Sequence, residues 1–204
     1  VDLENGDPLW DKDEVDANKN PTGKRVTTND YGSADYYYVN KSSLPKVYGG
    51  FNTSLSWKGF DLSAIFAYSI GGYIYNRDVT MILHNGSLEG RDWSTEILRR
   101  WTPDNRYTDV PALSTTSNNW NSASTRFLQN NSYMRLKNLT LSYNLPKQWI
   151  SKLSLSSVQV YVQGDNLFTI HRNQGLDPEQ GITGITYYRY PAMRTISGGI
   201  NVSF

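Results

Sequence analysis

The chain closes on Arg194-Thr195-Ile196-Ser197-Gly198-Gly199-Ile200-Asn201-Val202-Ser203-Phe204, an unbroken alternation that ends on an aromatic residue. Successive side chains of a strand point to opposite faces. Arg194, Ile196, Gly198, Ile200, Val202 and Phe204 therefore share one side, and Thr195, Ser197, Gly199, Asn201 and Ser203 share the other. A strand this long, greasy on one face and polar on the other, predicts two solvents: hydrocarbon against the apolar face and water against the polar one.

Four more segments read the same way. Residues 46–57 set Val47, Phe51, Leu55 and Trp57 against Tyr48, Asn52, Ser54 and Ser56. Lys58-Gly59 is a two-residue hairpin turn, with glycine supplying a positive φ. In 60–70, Phe60, Leu62, Ala64, Phe66, Tyr68 and Ile70 oppose Asp61, Ser63, Ala67 and Ser69, with Ile65 breaking the polar set. Residues 133–144 place Leu139, Leu141 and Tyr143 opposite Asn138, Thr140, Ser142 and Asn144, and 158–168 place Val158, Val160 and Val162 opposite Gln159, Gln163 and Asp165. Strands of about ten to twelve residues suit a tilted membrane crossing of about nine to eleven, whereas soluble strands average about five or six. Trp57, Phe60, Tyr143 and Phe204 gather at strand ends on one side, the pattern of a membrane-interface girdle.

Composition agrees. Mean hydropathy of −0.58 looks soluble, and no apolar run of about eighteen residues offers a membrane-spanning helix, but alternation hides a barrel from that test. The 15 Tyr, 6 Trp and 16 Gly suit a barrel better than an ordinary enzyme. A net charge of +1 gives no electrostatic case for nucleic acid, and the lack of cysteine removes disulfides and thiolate metal sites. Val1-Asp2-Leu3-Glu4 carries neither a basic nor an apolar leader, so a secreted chain is expected to arrive without its export signal.

The connections alternate short and long. Lys58-Gly59 and the segment after Asn144, with a helical turn expected behind Pro146, are short; 72–132 and 169–192 are long, and barrels put long loops outside the cell. Within the first, Asp92 to Trp101 reads as a short capped helix, acidic early and basic late. Residues 1–45 show no strand pattern beyond Tyr36-Tyr37-Tyr38-Val39 and read as a further outer loop. Five strands would leave open edges in hydrocarbon, where each unsatisfied backbone group is costly, and bacterial barrels carry at least about eight. The expected fold class is all-β: 46–204 supplies the carboxyl-terminal five strands of a large transmembrane antiparallel barrel. Alternation alone also fits a secreted β-sandwich carbohydrate-binding module; strand length, loop asymmetry and Phe204 favour the barrel.

Several stretches carry a family resemblance. They are Pro45-Lys46-Val47-Tyr48-Gly49-Gly50-Phe51-Asn52, Trp57-Lys58-Gly59-Phe60-Asp61-Leu62-Ser63, Arg100-Trp101-Thr102-Pro103-Asp104-Asn105, Phe127-Leu128-Gln129-Asn130-Asn131-Ser132-Tyr133-Met134-Arg135-Leu136-Lys137-Asn138-Leu139, Gly164-Asp165-Asn166-Leu167-Phe168-Thr169, Gly175-Leu176-Asp177-Pro178-Glu179 and Tyr190-Pro191-Ala192-Met193-Arg194-Thr195. In this order they resemble the SusC/RagA-like TonB-dependent outer-membrane transporters of Bacteroidetes. The resemblance implies a 22-stranded plugged barrel, a SusD-like surface lipoprotein as lid, energy from TonB, and import of oligosaccharides or peptides. It implies no enzyme activity and no cofactor, and that Phe204 serves recognition by the barrel-assembly machinery.

Catalytic patterns are lacking. His84 and His171 stand alone in expected outer loops, without HExxH spacing. Asp11 to Asn18 is acidic but fails the EF-hand register, which needs Gly at its sixth position and Glu at its twelfth. Asp61, Ser63, Asn138, Thr140, Gln159, Gln163, Asp165 and Asn201 are expected to line the lumen. Trp93, Trp120, Tyr187, Tyr188, Arg189 and Tyr190 lie in the outer connections, where flat aromatic faces stack on sugars or anchor a lid. Trp101 is expected to pack against its own loop helix. Gly164, Gly198 and Gly199 read as sites of close backbone approach.

Overall fold

The computed structural model describes the chain except Asn85, Ser87, Glu89, 115–118, Gln174, Leu176, Gln180, Tyr187 and the side chain of Leu153. The chain divides into two units, Val1–Asn40 with Asn76–Leu128, and Lys41–Tyr75 with Gln129–Phe204.

The first unit begins with a hairpin that alternation did not announce, β1 (Trp10–Val15) and β2 (Pro21–Thr28). Charged and polar residues occupy both faces of these short strands, so hydrophobic periodicity could not find them. Turn chemistry makes the hairpin. The Asp16 carboxylate accepts the backbone N–H groups of Asn18 at 2.8 Å and Asn20 at 2.9 Å, and Lys19 takes the left-handed conformation. The Asn20 N–H leads in holding the Asp16 carboxyl below its usual range. The acidic run thus serves a turn. Tyr36 to Val39 belongs to no strand.

Strands β3 (Val47–Trp57), β4 (Phe60–Ile70) and β5 (Tyr73–Asn76) follow, then helix α1 (Arg77–Ile82). The Asn76 side chain caps α1 by accepting the Val79 N–H at 3.0 Å. In the first unit α1 joins a core of Val79, Leu83, Ile97, Val110, Trp120 and Phe127. The expected helix near Trp93 is a single 3₁₀ turn, Thr95–Arg99, capped by Ser94. Trp101 follows that turn by two residues. Its ring lies against Gly6, where an added Cβ would come within 2.6 Å of it, and its Nε1 donates to the Leu3 carbonyl at 3.4 Å.

The second unit adds β6 (Leu128–Asn130), β7 (Tyr133–Asn144), α2 (Lys147–Ile150), β8 (Ser157–His171), β9 (Ile185–Thr186) and β10 (Thr195–Ser203). Its main sheet is antiparallel throughout, in the order β10–β8–β7–β4–β3. Lys58 and Gly59 both have positive φ, 48° and 89°, as a two-residue turn matched to strand twist requires. Strand β8 outruns its expected end because Thr169, Ile170 and His171 pair with Arg135, Met134 and Tyr133.

One irregularity resets the faces. Ile65 pairs with Asn138 but Phe66 with Leu136, so Lys137 is an extra residue in β7. Below this bulge Leu139, Leu141 and Tyr143 share the apolar face; above it Leu136 and Met134 do, and Arg135 turns to the polar face. Strict alternation would have put Arg135 among the apolar residues. Strand β8 keeps phase with two extra residues, Asn166 and Leu167, and Leu167 lies over Gly164, where an added Cβ would clash at 2.7 Å.

The apolar face is exposed. Val160 is 43% and Ile200 65% accessible, alongside Val47, Phe51, Leu55, Leu62, Val162, Phe168 and Ile196. No second sheet covers it among the described residues, which removes the β-sandwich reading.

Candidate functional site

The polar face of the main sheet is bonded into a belt that crosses all five strands. Ser56 of β3 donates to Asp61 of β4, and Asn144 of β7 donates to the other Asp61 oxygen at 2.7 Å. Gln159 of β8 donates to the Asn144 side-chain oxygen at 3.1 Å, and Asn201 of β10 to the Gln159 side-chain oxygen at 3.2 Å. Farther along, Asn138 donates to Asp165 at 2.7 Å, Thr140 to Asn138 at 2.9 Å, and Gln163 to Asp165 at 3.3 Å. Ser63 stands on the same face, paired with Ser54 and Thr140. Tyr161 also lies there, across Gly199, where an added Cβ would meet its hydroxyl at 2.7 Å. The pairing therefore places all eight residues expected to line a lumen on one face. On the opposite face Trp57, Phe60 and Tyr143 occupy one rung, with Phe60 and Tyr143 centroids 4.5 Å apart, and Phe204 follows Ser203 at the same end.

At the opposite end stands an ion cluster that alternation hid. Arg135 is 3% exposed. Its Nε donates to Thr169 at 3.0 Å, one terminal nitrogen to Glu179 at 2.8 Å and the other to Asp177. Lys137, the bulge residue, reaches Glu179 at 2.6 Å. Asp177 also accepts the backbone N–H groups of Glu179 at 2.9 Å and of Ala192. Burial works against the Asp177 carboxylate, but these N–H groups and Arg135 outweigh it and hold its carboxyl below the usual range. The cluster ties Asp177, Glu179 and Ala192 to the wall. The spacing of Leu136 and Leu139, three residues apart yet both apolar, was the available signal for the bulge that turns Arg135 inward.

Beside this clamp is a cavity of about 490 Å³, lined by Arg135, Asn166, Leu167, Thr169, His171, Gly175, Asp177, Pro178, Pro191, Ala192 and Arg194. His171 sits at its edge with Nδ1 at 2.6 Å from the Asn173 side-chain oxygen.

The outer aromatics divide. Trp120 is a correction: it is 1% exposed, its Nε1 donates to the Leu83 carbonyl, and Arg126 lies over its ring at 4.4 Å, so it is a core residue. Trp93 is half exposed and donates to His84 Nδ1 at 2.9 Å. His84 itself is buried rather than solvated, and burial pushes its pKa down. Tyr188, Arg189 and Tyr190 are exposed, Tyr190 at 98%; Tyr187 lies outside the described residues. Among the described residues no group of His, Asp and Glu is arranged to hold a metal ion.

An exposed apolar face of long antiparallel strands, backed by a hydrogen-bonded polar face, defines a segment of transmembrane β-barrel wall. No family model matches the chain. The whole chain superposes on 22% of a chain of the RagAB peptide transporter, at 34% identity and a TM-score of 0.82. It does so equally on the RagAB peptide importer in its open-open state, at 33% identity, a TM-score of 0.82 and 21% of that chain. The TonB-dependent receptor P3 of Formosa agariphila is 34% identical over 166 residues, 76% of this chain and 16% of that protein. The TonB-dependent receptor SusC of Bacteroides thetaiotaomicron is 27% identical over 168 residues, 82% of this chain and 16% of that protein. The chain belongs to the SusC/RagA-like TonB-dependent transporter family. It spans less than a fifth of the length of these two curated relatives.

Proposed function

We propose that this chain is the carboxyl-terminal wall segment of an active importer in the outer membrane of a Bacteroidetes-type cell, and that the cargo is oligosaccharide or peptide. The carrying observation is the two-faced sheet: apolar residues exposed outward, and a polar belt from Ser56 to Asn201 facing the other way. The likeness to the RagAB peptide transporter supports import, and likeness to SusC supports TonB dependence. In this reading 46–204 contributes five strands to the barrel, and 1–45, 72–132 and 169–192 lie outside the cell. The remaining barrel and plug complete the pore, lipid covers the apolar face, TonB supplies energy through parts beyond this chain, and a SusD-like lipoprotein closes the mouth.

Each surface then has a role. Asp61, Ser63, Asn138, Thr140, Gln159, Gln163, Asp165 and Asn201 offer passing cargo short-lived polar contacts. Trp57, Phe60, Tyr143 and Phe204 anchor the barrel at the periplasmic interface of the outer membrane. Trp93, Tyr188, Arg189 and Tyr190 meet the lid or the cargo, and Tyr187 joins them by its sequence position. The wall performs no catalysis and needs no cofactor. The test is a clean deletion in the native host, scored for uptake of labelled peptides and oligosaccharides and for outer-membrane fractionation. Undiminished uptake of every cargo, or recovery of the parent protein from the soluble periplasm, refutes the reading.

A further inference from the structure

We infer that the cavity beside the Arg135 clamp is a carboxylate-binding subsite, taking the terminal carboxylate of a peptide or the uronate of an oligosaccharide. This rests on the importer reading above. The charges lining the cavity do not cancel. Asp177 is occupied on both oxygens, by Arg135 and the Glu179 N–H on one and the Ala192 N–H on the other. Arg194 precedes β10 and is not bound by that strand's alternation, which would have set it beside Ile196 on the apolar face; it lines the cavity and makes no hydrogen bond or ion pair among the described residues. One guanidinium is therefore left over in the wall, in a unit whose sequence holds 10 Lys and Arg against 4 Asp and Glu.

His171 supplies a second oriented group. Its Nδ1 faces two acceptors, the Asn173 backbone oxygen at 3.0 Å and side-chain oxygen at 2.6 Å. The buried Asn173 amide is fixed by donating to Asn131 at 3.0 Å, and Asn131 by donating to the Pro178 carbonyl at 2.8 Å. Nδ1 must then carry the hydrogen, and Nε2 of the neutral ring is an acceptor, suited to an N–H or hydroxyl beside the bound carboxylate rather than to the carboxylate itself. Leu167, Pro178 and Pro191 supply apolar wall beside these groups. A planar guanidinium matches a carboxylate with two parallel bonds.

The full-length transporter, purified with its lid, is titrated by calorimetry with two ligand pairs: a peptide with free or amidated carboxyl terminus, and a hexuronate oligomer or its neutral hexose counterpart. The acidic member of one pair should bind about 10- to 100-fold tighter, as expected for hydrogen bonds to a charged group, and the pair that discriminates identifies the source. Arg194→Gln should abolish that preference, while Arg194→Lys keeps part of it. Equal affinities within both pairs, or a preference that survives Arg194→Gln, overturns the subsite. Absence of binding by any peptide or oligosaccharide instead defeats the importer reading. Heat-modifiable gel mobility verifies that each variant barrel is folded.

Discussion

Replacing Arg135 by methionine isolates what the clamp contributes. The substitution keeps a long side chain in place but removes the hydrogen bond to Thr169 and both ion pairs. Glu179 is 38% exposed and retains Lys137, so its loss costs about 1 kcal/mol or less. Asp177 is different: its side chain is 7% exposed, and Arg135 is the buried cation it would lose, while the Glu179 and Ala192 N–H groups stay. Stranding one partner of a buried pair costs about 3–5 kcal/mol. That cost falls on the docking of 177–192, because the β7 backbone ladder is untouched. Amide hydrogen exchange of 177–192 in the full-length protein should therefore accelerate on the order of 100- to 1000-fold, at about 1.4 kcal/mol per decade. The pH dependence has a definite sign. The Asp177 carboxyl is depressed in the folded protein, so its stabilisation is complete above the unfolded value of about 3.9 and is lost as pH falls through the lower folded value. Without Arg135 that folded value rises, and acid release of the segment begins at higher pH. Exchange over 177–192 that is unchanged by Arg135→Met, or that rises equally through β7 and β8, would refute the clamp.

Adjacent residues on β8 give a sharp contrast between faces. Val162→Arg should cost about 2–4 kcal/mol in refolding into bilayers near the midplane, and Gln163→Arg little; equal penalties in urea titrations would contradict the assignment of faces. Trp120→Ala should destabilise the first unit by about 3–5 kcal/mol, read as protease sensitivity within 76–128, with cargo affinity preserved once the protein is folded. Burial depresses the His84 pKa, so its stabilisation is present above the unfolded value of about 6.5 and is lost as pH falls through the folded one. Proteolysis of the same unit should rise between about pH 7 and 5, and His84→Gln should blunt that rise.

The main sheet was legible because each strand lies between two solvents, which forces apolar and polar residues onto opposite faces and writes a period of two into the chain. Strand β4 was read to the residue, and the eight polar residues fell on one face as expected. What stayed hidden lacks that constraint. The β1–β2 hairpin is wet on both sides and is held by Asp16 turn contacts. Helix α1 is a single capped stretch whose burial depends on residues distant in sequence, and Trp120 shows only as an aromatic in a loop until Leu83 and Arg126 surround it. The clamp was missed for a narrower reason: one extra residue at Lys137 reverses the phase, and a reading by parity places Arg135 on the wrong side.

The polar belt has a direction. Asn201 gives to Gln159, Gln159 to Asn144, and Asn144 to Asp61, while Ser56 gives to Asp61 from the other side. Every amide dipole points toward the same carboxylate, which acts as the sink of the array. An amide at that position could satisfy Asn144 only through its oxygen, and Ser56 would have to reverse from donor to acceptor. An apolar residue there would leave Asn144 with nothing to give to, and the reorientation could run strand by strand to the last one. A change at residue 61 would thus be registered at residue 201, three ribbons away, with no movement of the backbone between them.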